Sequence, residues 1–549
     1  MAQDENLRRI TVSNDDGDVY VESSGDGSEI VLKTEKVRVD GDVYCGTSTV
    51  GLSARIDAVF PPKCVRPGGD KLQYDGSEWL CICNGAFGGE TCETTWTPEA
   101  RIVNVSKLEL DDQYMYGDYH STSERAAHKI SAHGDEMLVG GARQSAMILK
   151  RTVDSNSQTL WTPVWNFSLE YSWFNASNRF TWSTFGDSVA LDGDLALIGA
   201  PEQQYCFVVE YGWCYGSYRG PGYAAIFSRV GTTDTWTLEA NLTASDTAYE
   251  EWRNSYYQNY TAHAQIRFGR DVALSGSYAL IGSSYVQYSQ RKSYYDSHVT
   301  KIMPGSAYLF KRDESTLQWT EQAKLVSDLG NATDDGFGQS IDLSDDYAVV
   351  GAAQDNEKGS NAGAVYVFKR VVATGSAETW ERDTKLTASD ASSDDMFGFR
   401  VSVSGDHIFV GSPYDDENGS QSGSVYVFKR DASTNAWTQK AKLTASNAAP
   451  NDQFGYSVEV NGDRALVGAP YKASAFGGSG VVYVFERDPD TGEWIEMLVK
   501  ITDFKGLKSH IGEYVALSAD YAVGASVRDD GGSVENEGFV VIANVSSIP

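Results

Sequence analysis

The sequence predicts an all-β protein, a seven-bladed β-propeller of four-stranded blades closed by an N-terminal strand. Three observations carry the expectation. One phrase returns seven times, each return is followed by further strand-like stretches, and the last return lacks a fourth strand that stands before the first. A β-rich segment and a small disulfide-rich module are expected ahead of the ring, dividing the chain into residues 1–44, 45–93 and 94–549.

The phrase is clearest from Phe454-Gly455-Tyr456-Ser457 through Asn461-Gly462-Asp463 to Gly468-Ala469-Pro470. Its copies begin at Ala126, Phe185, Phe268, Phe337, Phe397, Phe454 and Ile511, with spacings of 59, 83, 69, 60, 57 and 57 residues. Such self-similarity at a near-fixed period marks a repeat architecture, and two copies carry insertions. Each copy reaches an Asp, or Ser277 in one case, nine residues after its start.

Alternating apolar residues after Phe-Gly make the first strand. The Gly-Asp or Asp-Asp pair that follows suits a two-residue hairpin, whose positive-φ positions favour Gly, Asn and Asp. The apolar run ending in Gly-Ala-Pro is the second strand. Gly423–Phe428 is a third, repeated at Gly363–Phe368 and Gly305–Phe310, and Trp437 leads a fourth to Leu443, as Trp380 leads to Leu386 and Trp319 to Leu325. Four antiparallel strands repeated radially describe propeller blades.

The final unit supplies its third strand at Gly538–Ile542 and stops, whereas Trp96–Ile102 matches Trp437–Leu443 with no earlier blade to own it. A ring closed by that borrowed strand leaves no orphan edge; an open solenoid, the rival reading, would need no split unit.

The Phe-Gly and Gly-Ala-Pro halves, as in Phe185–Pro201 and Phe454–Pro470, resemble the FG-GAP repeats of seven-bladed propellers such as integrin α heads, over about residues 95–545. The resemblance implies the fold. The calcium loops of integrin-type repeats do not carry over, because the place between the halves holds only short turns such as Asp192-Gly193-Asp194 and Ser404-Gly405-Asp406.

With 45 basic against 76 acidic residues, the net charge of -31 repels phosphate backbones and anionic membranes, so nucleic acid is excluded as a partner. No apolar run is long enough to span a bilayer. Asn-x-Ser/Thr triplets at Asn104, Asn166, Asn175, Asn241, Asn259, Asn331, Asn418 and Asn544 are candidate glycosylation sites and point to an extracellular setting, secreted or on a cell surface.

Five of the seven cysteines lie between Cys45 and Cys92. The run Cys81-Ile82-Cys83 to Phe87-Gly88-Gly89-Glu90-Thr91-Cys92 resembles the C-terminal half of an EGF-like module, and that resemblance implies pairs Cys64–Cys81 and Cys83–Cys92. Cys45 is left over, either as an unpaired thiol or in an intermolecular disulfide. No His stands among these cysteines, which sets a zinc site aside. Cys206 and Cys214, in the insertion of the second blade, are expected to staple it.

Residues 1–44 frame short apolar stretches with Asp16-Gly17-Asp18 and Asp40-Gly41-Asp42 turns. Such strands need a neighbour, which makes the segment a candidate element for self-association or assembly with other subunits. The polar opening Met1–Asn6 carries no secretory signal, so the chain is expected to be a mature product or a fragment.

Loops joining strands two and three, and strand four to the next blade, emerge on one face. There Asp355-Asn356-Glu357 and Asp415-Asp416-Glu417-Asn418 are candidate calcium loops, because carboxylates and carbonyls can supply the six to eight oxygens that calcium takes, against the alternative that they are solvated turns. Asp334-Asp335, and Asp390 with Asp394 and Asp395, are further acidic groups there, and two Tyr-rich insertions, Tyr249 to Tyr260 and Tyr285 to Tyr295, are a candidate contact patch. Calcium is the only cofactor the sequence suggests. Its histidines form neither a metal motif nor a partnership with a nucleophile, so no catalytic residue is assigned. The expectation is a non-enzymatic extracellular propeller that binds proteins or glycans, as a subunit of a larger coat, hair or matrix fibre or as a stand-alone receptor-like module. A hydrolase on the same scaffold is the third reading.

Overall fold

Strand alternation, repeated seven times, builds the ring. A computed structural model describes residues 129–544 apart from connecting segments, the longest being 169–178, 253–259, 291–298, 328–334, 502–509 and 527–538; before 129 it describes only short strands. The chain divides into two compact units, residues 1–97 with 498–500, and 98–497 with 501–549.

Blade 5, the fifth copy, shows the pattern. Arg400–Ser404, His407–Ser412, Ser424–Arg430 and Trp437–Leu443 lie side by side in chain order, all antiparallel. The other inner strands are Ile130–His133, Ser188–Asp192, Phe268–Ser275, Ile341–Ser344, Ser457–Asn461 and Tyr514–Leu517. In blades 2 to 5 the third strand slips register against the fourth immediately before its Phe, for example between Val427 and Phe428. A bulge there adds local twist.

The ring closes as the split unit requires: Phe539–Asn544 of blade 7 pairs antiparallel with Ala100–Val103, setting Phe539 opposite Val103 and Ile542 opposite Ala100. The closing strand is shorter than Trp96–Ile102. Pro98 has no N–H to give a ladder, and Thr95–Trp96 instead pairs with Pro62–Lys63.

Within the first unit, Ile10–Val12 pairs with Val19–Val21 and Lys71–Tyr74 with Trp79–Ile82, which places Cys81 opposite Leu72. Cys45, Cys64, Cys83 and Cys92, and with them the EGF-like module, lie outside the described residues. The insertion of blade 2 forms the hairpin Gln203–Glu210 with Trp213–Arg219, where Cys206 faces Ser217 and Cys214 faces Val209 along the ladder. Their side chains lie outside the described residues, as does that of Cys81. Each Tyr-rich insertion carries a two-stranded hairpin, Tyr249–Trp252 with Tyr260–His263 and Val286–Gln290 with Val299–Met303.

Seven apolar clusters form the core, one at each junction between consecutive blades. One joins Val349, Val365 and Val367 of blade 4 to Phe397, Val401, Val410 and Tyr426 of blade 5; another joins Val523, Val540 and Ile542 of blade 7 to Ile130, Met137 and Leu149 of blade 1. The Phe of each Phe-Gly explains its recurrence here. Phe397 and Phe454 are fully buried and meet Tyr426 and Tyr483 of the third strand edge-on, both at 5.3 Å. The Trp that leads strand four reaches back to the previous blade: Trp380 meets Tyr278, Trp437 meets Tyr347, and across the closure Trp161 of blade 1 meets Tyr521 of blade 7 at 5.4 Å.

The recurrent Asp of the first turn also acquires a reason. Asp194 accepts from Arg229 at 2.8 Å and Asp346 from Arg370 at 2.6 Å, and Asp463 pairs with Arg487, each Arg lying at the end of the third strand of the same blade. These pairs sit at the surface and fix the turn more than they stabilise the fold.

Backbone meets backbone where blades touch. A Cβ on Gly411, in strand two of blade 5, would overlap the carbonyl oxygen of Gly455 in blade 6, and the same overlap recurs between Gly351 and Gly398 and between Gly468 and Gly512. Gly411→Ala is expected to destabilise the ring by roughly 3 kcal/mol, because the two backbones must part. Gly405→Ala, at a hairpin turn with φ of +59° and nothing nearby, is expected to cost about 1 kcal/mol. Chemical denaturation of both variants checks the contrast; equal losses would remove the close approach as its cause.

Candidate functional site

Each acidic loop on the face starts where strand two ends, which tucks its first Asp beneath the Tyr of strand three. Asp415 is buried and accepts from Tyr426 Oη at 2.8 Å, Ser424 Oγ at 2.9 Å and the Glu417 N–H at 3.1 Å. Lys442, opposite Tyr426 in the ladder, brings its ammonium to Asp415 at 3.0 Å and Asp390 at 2.7 Å, and also pairs with Glu417. Blade 4 repeats the arrangement: Asp355 accepts from Tyr366 Oη at 3.2 Å and from Lys385 Nζ at 2.8 Å, and Lys385 holds Glu357 at 2.7 Å. In blade 3, Lys324 and Tyr308 meet on Asp246.

An ammonium group thus stands where the sequence reading puts calcium. Burial works against the charge on Lys442, but its hydrogen bonds to Asp390, Glu417 and Asp415 outweigh it and raise its pKa. Burial, reinforced by the charge of Asp355, pushes the Tyr366 hydroxyl up to about 12. The other candidates serve their own loops. Asn356 Oδ1 accepts from the Asn361 N–H, Asp416 Oδ1 from the Gln421 N–H, and Asn418 is exposed with its N–H on Ser422 Oγ. Among the described residues no group of three or more His, Cys, Asp or Glu side chains is arranged to hold a metal ion.

Asp394 is exposed and accepts from Asn361 Nδ2 at 2.8 Å. Asp395 is buried, and burial carries its pKa up to about 6. Asp334 lies outside the described residues.

The same face carries a feature that the acid-centred reading missed. Tyr414, Phe399, Tyr456, Tyr471 and His510 form an unbroken chain of ring contacts, with centroids 6.2, 5.0, 6.3 and 5.0 Å apart in turn. Phe399 and Tyr456 directly follow Phe-Gly in blades 5 and 6, at the start of the inner strand and so at the mouth of the axial channel; Tyr414 and Tyr471 directly follow Pro413 and Pro470. Tyr471 is 39% exposed and the others are partly exposed. Arg400 lies over the rings of Phe399 and Tyr514, at 5.6 and 5.8 Å. Asp187 and Arg270 hold the position after Phe-Gly in blades 2 and 3, so these blades share this mouth. Their positions there are polar: Arg267 pairs with Glu202 at 3.2 Å and Arg270 with Asp187 at 4.0 Å. The sequence signal was present as Phe-Gly-aromatic paired with Pro-Tyr in blades 5 and 6 alone.

Inside the channel the inner strands bring together charges from separate blades. Lys129 pairs with Asp271. Asp342 accepts from the Leu343 N–H at 2.8 Å and the Val403 N–H at 2.7 Å, while burial pushes its pKa up to about 6. Burial, then the charge of Asp342, pushes Glu459 up to about 8 against the pull of Lys129.

Residues 319–368, 380–428 and 437–485 match the family described as FG-GAP repeat; these are strands four of blades 3, 4 and 5 through strands three of the blades that follow. No curated protein matches the chain. Among the described residues no helix is long and apolar enough to cross a membrane.

Two outcomes test the electrostatics. Lys442→Met should leave Asp415 buried beside Glu417 and Asp390 without a cation and lower stability by about 3 kcal/mol. The wild-type melting temperature should not move with millimolar calcium, and a rise on adding calcium would return these loops to the metal. For Glu459 the folded pKa lies above the unfolded one. Its contribution is therefore complete below the unfolded value and is lost as pH rises through the folded value, so stability should fall between about pH 5 and about pH 9. Glu459→Gln should flatten that slope in melting curves; an unchanged slope would assign the pH dependence to other groups.

Proposed function

We propose that this chain is a non-enzymatic extracellular propeller that binds an extracellular protein or glycan at the channel mouth on its loop face. The observation that carries the reading is the chain of partly exposed rings from Tyr414 to His510, set on loops that rigid blades position. Partly exposed aromatic groups with polar tips are the side chains that recognition surfaces favour. The carboxylates of Asp355 and Asp415 beside it are paired with Lys385 and Lys442.

FG-GAP repeats are typical of extracellular or surface proteins, which supports the compartment. The candidate glycosylation sites Asn166, Asn241 and Asn418 are exposed, the first two on outer strands of their blades. A hydrolase would need a nucleophile and a base converging on one face, and the loop carboxylates Asp355 and Asp415 are each held by a lysine and a tyrosine hydroxyl.

Wild-type protein and the Phe399→Ala/Tyr456→Ala double variant, screened against one immobilised panel of extracellular proteins and glycans, test the reading. Wild type should bind at least one member and the variant should lose it while keeping its melting temperature. Binding that survives in the variant, or turnover of a panel member, would overturn it.

A further inference from the structure

The mouth is divided. Blades 5 and 6 contribute rings, whereas blades 2 and 3 contribute Arg267, Arg270, Glu202 and Asp187, and that division restricts what fits. A cation seeking the faces of Phe399 or Tyr514 meets Arg400 already over them, and its charge would repel a second cation nearby. An anion meets a chain of net charge -31. A wholly apolar segment would have to strip water from the ion pairs on the far side, with nothing to replace it. The charges on the polar side pair with one another, Arg267 with Glu202 and Arg270 with Asp187. The occupant these surroundings suit is neutral, with an apolar face for the rings and several hydroxyls for the polar side.

A second observation points the same way. Four polar atoms on loop-face residues have no hydrogen-bond partner among the described residues although they are buried: Arg267 Nε, Gln453 Oε1, Ser284 Oγ and Asp335 Oδ2. Arg267 and Gln453 each immediately precede the Phe of a Phe-Gly, and Ser284 follows the end of strand two in blade 3. Buried polar groups are nearly always satisfied, so unpaired donors and acceptors beside a mouth are groups that await a ligand or a water. Two acceptors, one donor and one hydroxyl that can do both match the mixed hydrogen bonding of neighbouring hydroxyl groups.

We propose that the mouth binds a neutral pyranose, its C–H face stacked on Tyr456 and its ring neighbours and its hydroxyls turned to the polar side. The proposal rests on the binding-propeller reading above and narrows its ligand class from proteins or glycans to sugars. Tyr456 is the central ring of the chain, touching both Phe399 and Tyr471. It acts through its face, so the hydroxyl is dispensable.

The probes are the methyl glycosides of glucose, galactose, mannose and N-acetylglucosamine, each titrated into the full chain and followed by saturation-transfer NMR and calorimetry. At least one should bind. Tyr456→Ala should weaken it by about tenfold, the order of one lost aromatic stack, while Tyr456→Phe should bind as wild type does. The Phe variant guards against misfolding as the cause of loss, and near-ultraviolet circular dichroism of the Ala variant checks its packing. Absence of binding by all four glycosides, or binding indifferent to Tyr456→Ala, would overturn the proposal. If the four glycosides fail while an extracellular protein binds and is lost in the Phe399→Ala/Tyr456→Ala variant, the sugar is wrong and the binding propeller stands.

Discussion

The architecture depends on one contact, the approach of backbone to backbone between consecutive blades. The Gly that ends strand two in blade n lies against the Gly of Phe-Gly in blade n + 1, as Gly411 does against Gly455 and Gly351 against Gly398. A side chain at either place would wedge the blades apart. The second Gly must also adopt a left-handed backbone, with φ of +90° at Gly455, which side chains disfavour. The neighbouring Phe then falls into the apolar junction, and the Gly ahead of strand three bridges to that Phe, as Gly363 does to Phe397. Both halves of the repeating phrase are therefore two sides of one junction, made six times in this form, and the closure from blade 7 to blade 1, where Ala126-Ala127 replaces Phe-Gly, completes the ring.

Because junctions are identical in kind, the ring was legible in sequence. Period, turn residues and the missing fourth strand each stated it independently, and the pairing of Phe539–Asn544 with Ala100–Val103 completes the count. The start of the closing strand was not legible from the match to Trp437–Leu443, since a pattern of apolar positions is blind to the missing N–H of Pro98. The partner of the acidic loops is hidden in the sequence for a related reason. Their partner, Lys442, lies on strand four, well along the chain from Asp415, and only the ladder that sets it opposite Tyr426 brings it back. A Lys ahead of the apolar end of strand four recurs at Lys324, Lys385 and Lys442, so the signal existed, but it carries meaning only once the strands are paired.

Electrostatics in this protein are settled locally. An acidic chain would repel itself unless its carboxylates found partners, and several blades supply their own: Arg at the end of strand three for the turn Asp in blades 2, 4 and 6, Lys on strand four for the loop Asp in blades 4 and 5. Blade 6 shows that the solution tolerates inversion. There Lys472 occupies the place of Asp415, pairing with Asp452 at 2.8 Å, and Tyr483 turns to Asn447 instead. The constant element is a buried Tyr beside an ion pair, with either sign at either place. Such pairs fix the loops over the junctions, where they bury polar groups that would otherwise face the apolar clusters below.

That local settlement explains why function would fall to the channel mouth. Positions buried in a junction answer to packing on both sides and admit few residue types, as the repeated Phe, Tyr and Gly show. The residue after Phe-Gly, at the opening of the channel, varies instead: it is Asp187, Arg270, Gln339, Phe399, Tyr456 and Glu513 in six of the blades. Seven near-equivalent blades thus present a ring of positions that can differ without cost to the fold. Rings gathered in adjacent blades 5 and 6, opposite ion pairs in blades 2 and 3, break the symmetry that the junctions impose. A symmetric mouth could hold a ligand in several equivalent orientations, whereas a mouth with one stacking side and one hydrogen-bonding side holds it in one.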